Sequence, residues 1–135
     1  MASVFTRIIR GELPCYKVAE DERVLAFLDI HPLKRGHMLV VPKAEVDLLF
    51  DLDPELYAHL MEFARKLARV LAEVVPCERV GMAVLGMEVP HAHIHLIPID
   101  CESDLLFTNP RVPMGPAEFT ALAEALGRVW AQQAN

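Results

Sequence analysis

One apolar stripe, opened by Asp53-Pro54 and closed near Pro76, constrains the fold of this chain more than any other feature. Asp53 offers a side-chain oxygen to free backbone N–H groups, and Pro54 at the first helical position loses an N–H that would have no helical partner anyway. From there Leu56, Tyr57, Leu60, Met61, Ala64, Leu67, Ala68, Leu71 and Val75 recur at helical spacing, with charge on the remaining positions. The pattern predicts one long amphipathic helix that must bury its apolar face against another layer.

The flanking segments supply that layer. Tyr16–Ala19 and Val24–Ile30 flank the charged turn Glu20-Asp21-Glu22-Arg23 as a hairpin, and His37–Val41 follows as a third strand between Gly36 and Pro42. Beyond the helix, Val80–Leu85 and His91–Ile97 read as a last pair of strands joined through Gly86 and Pro90. Phe5, Ile8, Ile9 and Leu13 predict a short helix before Pro14, and Phe119, Leu122, Leu126, Val129 and Trp130 predict a C-terminal helix over Ala117–Gln132. The expected fold class is α+β, an antiparallel meander sheet covered by the long helix and the C-terminal helix. At 135 residues, one domain over 1–135 is expected.

Charge and cysteine usage narrow the function. The net charge of −6, with no basic run, excludes a protein that tracks along a nucleic-acid backbone. Cys15, Cys77 and Cys101 are odd in number and scattered, so they read as reduced thiols of a cytoplasmic protein. Residues 1–10 lack the pattern of a signal peptide, and no apolar run approaches the ~20 residues that span a bilayer, so no membrane partner is expected. A hydrophobic content of 53% is high for one domain of this size and points to a homodimer.

Chemistry is concentrated in His91-Ala92-His93-Ile94-His95. A strand alternates its side chains, so the three imidazoles share one face, ~6.5 to 7 Å apart, while Ala92, Ile94 and Leu96 fill the other. Three readings are open for that face. The histidines can be hydrogen-bonded core residues, but burying three imidazoles is costly unless each finds a partner. They can hold a metal, with His37 and Glu88 as further ligands, although no cysteine or aspartate stands close by in sequence. Or they can act together on one substrate group such as a phosphate.

The run His91-Ala92-His93-Ile94-His95-Leu96-Ile97 resembles the H-φ-H-φ-H-φ-φ signature (φ apolar) of the histidine-triad (HIT) superfamily, in its Hint-like nucleotide-hydrolase branch. Leu25 to Pro32 and Gly36 to Lys43 are similar to that family's nucleotide-binding strands, and Phe5 to Pro14 is similar to its opening segment. The likeness covers about residues 5–99, with 100–135 matching loosely. It implies a HIT-like fold and hydrolysis of purine nucleoside 5′-phosphate derivatives at the α-phosphate, with no metal or other cofactor. His93 is then the nucleophile, forming a nucleotidyl-histidine, with its second ring nitrogen donating to a backbone carbonyl. His91 and His95 bind phosphoryl oxygens or manage the leaving group's proton, and His37 completes the catalytic set. Phe5, Ile8, Leu13, Phe27, Leu28 and Ile30 form the purine slot, Asp29 takes the ribose hydroxyls, and Lys43 lies near the leaving group. A homodimer is implied as well.

Two departures from the family pattern stand out. Glu88 occupies a position where a phosphate-binding hydroxyl is expected, and a carboxylate there repels a phosphate. That leaves a nucleotide-binding regulatory module with little turnover as the alternative function. Some bacterial relatives hold a structural zinc through C-x-x-C and two histidines. Here Ser3 and Thr6 stand at the cysteine positions and Glu45 at that of one histidine, so this zinc is expected to be missing.

Overall fold

A computed structural model describes residues 1–133. In chain order the elements are α1 (Val4–Ile9), β1 (Lys17–Glu20), β2 (Val24–Leu28), β3 (Met38–Pro42), α2 (Pro54–Val74), β4 (Arg79–Ala83), β5 (Ile94–Ile99) and α3 (Pro116–Gln133), with 3-10 turns at Leu49–Asp51 and Glu102–Leu105. The α2 start is as the sequence dictates: the Asp53 carboxylate accepts from the Leu56 N–H at 2.9 Å, and Pro54 follows at the first helical position.

All strand pairs are antiparallel, in the order β1-β2-β3-β5-β4. The first three strands form the expected meander. After β3 the chain passes through α2, lays β4 one strand-width further out, and returns β5 into the gap, so β5 and not β4 lies beside β3. The consequence is functional: Leu39 pairs with His95 across the β3–β5 ladder, in the middle of the sheet.

The sheet separates two apolar groups. On one side α2 and α3 cover Val24, Ala26, Leu28, Met38, Val40, Ala92, Ile94 and Leu96 in the main core. On the other, α1 brings Phe5 onto Leu25, Phe27, Leu39 and Val41, and Leu33, Ile97 and Ile99 gather beneath Leu105 and Phe107. Gly36, which precedes β3, has φ +102°, and a Cβ there would meet Leu71 Cδ1 at 3.0 Å and Pro98 Cγ at 3.1 Å. Both the backbone conformation and the close approach of α2 require glycine at this turn. It delivers His37 to the site face.

Candidate active site

The triad only partly belongs to a strand. His95 lies in β5, whereas His91 and His93 precede it in an irregular segment. Alternation still holds, because Ala92, Ile94 and Leu96 enter the helix-side core. The departure from the expected strand His91–Ile97 has a local cause: His93 Nδ1 turns back onto the carbonyl oxygen of His91 at 2.7 Å.

Hydrogen-bond partners fix where the protons sit. A carbonyl oxygen only accepts, so His93 carries its proton on Nδ1 and leaves a lone pair on Nε2. His37 Nδ1 accepts from the Leu33 N–H at 3.0 Å. Its proton is therefore on Nε2, which lies 2.9 Å from His95 Nδ1. His95 must accept there, so its own proton is on Nε2. His93 and His95, with ring centroids 4.9 Å apart, thus present opposite characters: a lone pair on one Nε2 and an N–H on the other. Among the described residues, no buried side-chain nitrogen or oxygen lacks a hydrogen-bond partner. Neither of these Nε2 atoms bonds to another described residue, so both reach the open side of the site.

Burial depresses the basicity of all three rings. His37 falls to about 3, through burial first and then the nearby His95. His95 falls to about 4, through burial and then His93. His93 is lowered by burial, partly opposed by its bond to the His91 carbonyl and by the charge of Asp29. All three are neutral at pH 7, which a nucleophilic imidazole requires.

His91 has a different place from the one expected. It is wholly buried, and both its nitrogens are committed, Nε2 to the Pro42 carbonyl at 2.8 Å and Nδ1 to Ser3 Oγ at 2.7 Å. With neither nitrogen to spare, its ring cannot bind a phosphoryl oxygen or carry a leaving group's proton. What it offers the site is its carbonyl, held under His93.

The other expected residues divide. Phe5 packs edge-on against His93 (4.9 Å between centroids), His91 (5.7 Å) and Phe27 (5.8 Å), with Ile8 against the same group. Asp29 joins them, its carboxylate 3.5 Å from His37 Nε2 and accepting from the His31 N–H at 2.8 Å; burial raises its pKa above the usual carboxylate range. Leu13 is half-buried and Ile30 is exposed. Leu28 must be corrected: next to Phe27 in an extended strand it points the opposite way, into the helix-side core. The Lys43 Nζ lies 2.7 Å from Glu20 Oε2 in an ion pair. Glu88 is exposed.

Sequence reasoning missed two residues. Phe107 sets its ring edge-on 4.8 Å from His95 and 6.2 Å from His37. The Arg111 guanidinium lies 5.7 Å over Phe107 and donates to the His31 carbonyl at 3.3 Å. They belong to the loosely matching segment after β5, where no periodicity marks them.

Asp29, His37 and His95 each bring one metal-capable atom within 4.8 Å of the others. The bond between His37 Nε2 and His95 Nδ1 already occupies one nitrogen of each ring, so a metal held by those nitrogens would have to displace it.

The sequence matches the HIT domain family over residues 10–101. An uncharacterized HIT-like protein of Borreliella burgdorferi is 38% identical over 102 residues, spanning 70% of this chain and 73% of that one. The adenosine 5′-monophosphoramidase hnt1 of Schizosaccharomyces pombe is 33% identical over 128 residues, spanning 93% of this chain and 96% of the relative. Among solved structures, a zinc-bound histidine triad family protein from Mycobacterium smegmatis superposes with a TM-score of 0.83 at 30% identity, over 99% of this chain and 96% of that one. The chain therefore belongs to the HIT domain family.

Proposed function

We propose that the protein is a hydrolase of purine nucleoside 5′-phosphate derivatives, phosphoramidates and dinucleoside polyphosphates among them, and that His93 attacks the α-phosphorus. One observation carries this reading: the proton on His93 Nδ1 is held by the His91 carbonyl, which leaves the Nε2 lone pair beside the N–H of His95. The relative hnt1, named for its action on an adenosine 5′-monophosphoramidate, supports the substrate class.

The chemistry then runs in two displacements. His93 Nε2 forms a bond to phosphorus as the bond from phosphorus to the leaving group breaks. The positive charge created on the ring is spread toward the His91 carbonyl through Nδ1–H. His95 Nε2–H donates to a phosphoryl oxygen as charge builds there. Water next attacks phosphorus, the N–P bond breaks, and His93 returns with the nucleoside monophosphate released. Phe5, Ile8, Leu13, Phe27 and Ile30 line the side on which the base would lie, and Asp29 accepts from the ribose hydroxyls with the oxygen lone pairs that His31 leaves free.

A homodimer is part of the same proposal. A groove of about 820 Å3 lies away from the histidines, between α2 and the open edge strand β4, and is lined by Ala58, Met61, Ala68, Ala72, Val80 and Met82 among others. A second copy seated there would cover the unpaired edge of β4 and the exposed Met82. No helix among the described residues is long and apolar enough to cross a membrane.

Incubation with adenosine 5′-phosphoramidate tests the reading. AMP release is expected from the wild type and loss of at least about 10³-fold from His93→Ala. Binding without turnover would instead favour the regulatory module, and release undiminished in His93→Ala would remove His93 as nucleophile.

A further inference from the structure

Four polar side chains converge where α1 meets the end of β3. Ser3 Oγ lies 2.7 Å from His91 Nδ1 and 3.3 Å from Thr6 Oγ1. Thr6 Oγ1 donates to Glu45 Oε1 at 2.5 Å, and the same carboxylate oxygen accepts the Ser3 N–H at 2.7 Å. Thr6 Oγ1 stands 3.4 Å from His91 Nδ1. Because His91 Nε2 donates to the Pro42 carbonyl, Nδ1 carries only a lone pair, so the Ser3 hydroxyl must donate to it.

The zinc that the family resemblance implies in some relatives does not fit this place. Zinc is held by thiolates, imidazoles and carboxylates; here two of the four groups are neutral hydroxyls, and every one of the four is satisfied by another member of the cluster. Thr6 Oγ1 and the Ser3 N–H both donate to Glu45, the Ser3 hydroxyl donates to the His91 ring, and the His91 carbonyl accepts from His93 Nδ1.

We propose that Ser3, Thr6 and Glu45 are positioning residues for the nucleophile: a metal-free staple that locks the His91 ring and thereby holds its carbonyl under His93 Nδ1. The proposal rests on the reading of His93 as nucleophile. The staple acts through the place of the reacting nitrogen, because a small misplacement of a reacting atom lowers turnover steeply. Ser3 cannot be replaced by an apolar side chain without stranding a buried ring nitrogen. Glu45, by contrast, is exposed, so its variants are expected to fold.

The test compares Ser3→Ala, Ser3→Thr, Glu45→Ala and Glu45→Gln in the phosphoramidate assay, with 15N NMR of the imidazoles as an independent readout. Ser3→Ala and Glu45→Ala should lower kcat about tenfold or more with KM within twofold, while Ser3→Thr and Glu45→Gln, which keep a hydroxyl and an oxygen acceptor, should return kcat to within about threefold. In wild type, the 15N shifts should show protonated Nε2 on His91 and protonated Nδ1 on His93; in Glu45→Ala the His93 signal should move toward mixed tautomers. Chelation should leave wild-type kcat unchanged. Wild-type kcat and tautomers in both alanine variants would overturn the staple, as would a change in KM alone or restoration of activity by zinc after chelation. Should His93→Ala remain active, the nucleophile assignment falls, and the NMR comparison still decides whether the staple sets the tautomers.

Discussion

His37 Nε2 lies 2.9 Å from His95 Nδ1, while the Leu33 N–H occupies the other nitrogen of His37. A main-chain donor thereby decides the proton position on two imidazoles in succession and leaves His95 with an N–H on the site side. Protonating either ring would put two hydrogens into a gap that holds one.

Acid should therefore weaken the fold. In the unfolded chain both imidazoles take protons near 6.5, whereas folded His37 and His95 resist until about 3 and about 4. The unfolded state thus binds more protons over that window, so stability is fully present above about pH 6.5 and is lost as pH falls toward the folded values. The thermal unfolding midpoint is expected to drop steadily below about pH 6.5, and the drop should be shallower in His37→Gln. A midpoint unchanged between about pH 7 and pH 4.5 would show that the rings protonate freely in the folded state.

Activity should be less sensitive to mild acid than a free imidazole would be. Burial lowers the pKa of His93, so its lone pair survives below the usual range. The acid limb of kcat/KM is expected at lower pH than for a free imidazole. A limb centred above about 7 would contradict the burial of this ring.

Phe27 and Leu28, neighbours in β2, should separate binding from stability. Phe27 faces the site side and Leu28 the helix side. Leu28→Ala is expected to cost about 2 to 5 kcal/mol of stability with KM unchanged. Phe27→Ala should raise KM for an adenosine substrate severalfold at equal kcat, measured by steady-state kinetics under conditions where both variants are folded. A Leu28 variant with raised KM would place that side chain in the slot after all.

The α2–β4 groove gives a mass prediction. The wild type is expected to sediment at twice the 15.1 kDa of one chain, and Ala72→Glu, which sets a charge on the exposed face of α2 that lines the groove, should shift it to one. A wild-type protein that sediments as a single chain at micromolar concentration would refute the dimer.

Legibility in the sequence followed the range of the interactions involved. The start of α2 is written locally, in a capping carboxylate and a proline, and the helix begins where those residues say. Alternation correctly sent Ala92, Ile94 and Leu96 to the core. It could not reveal that the chain bends at His91, because that bend depends on a side-chain bond back to the carbonyl and on partners 49 and 88 positions away. The place of β5 between β3 and β4 depends on where α2 carries the chain, which no local pattern encodes. The misplacement of Leu28 had an available remedy: adjacent residues of a strand cannot both face one slot. Phe107 and Arg111 had none, since the route of the segment that carries them is set by packing over Leu33, Ile97 and Ile99.

The division of the apolar residues by the sheet has a dynamic consequence. The six residues of α1 pack on a small group of side chains apart from the main core, so their hold on the sheet rests on Phe5 and on the bonds of Ser3 and Thr6 to His91 and Glu45. Elements of this kind open on their own, at a fraction of the free energy needed to unfold the whole. Amide protons of Val4 to Ile9 should therefore exchange with solvent well before those of Leu60 to Leu71.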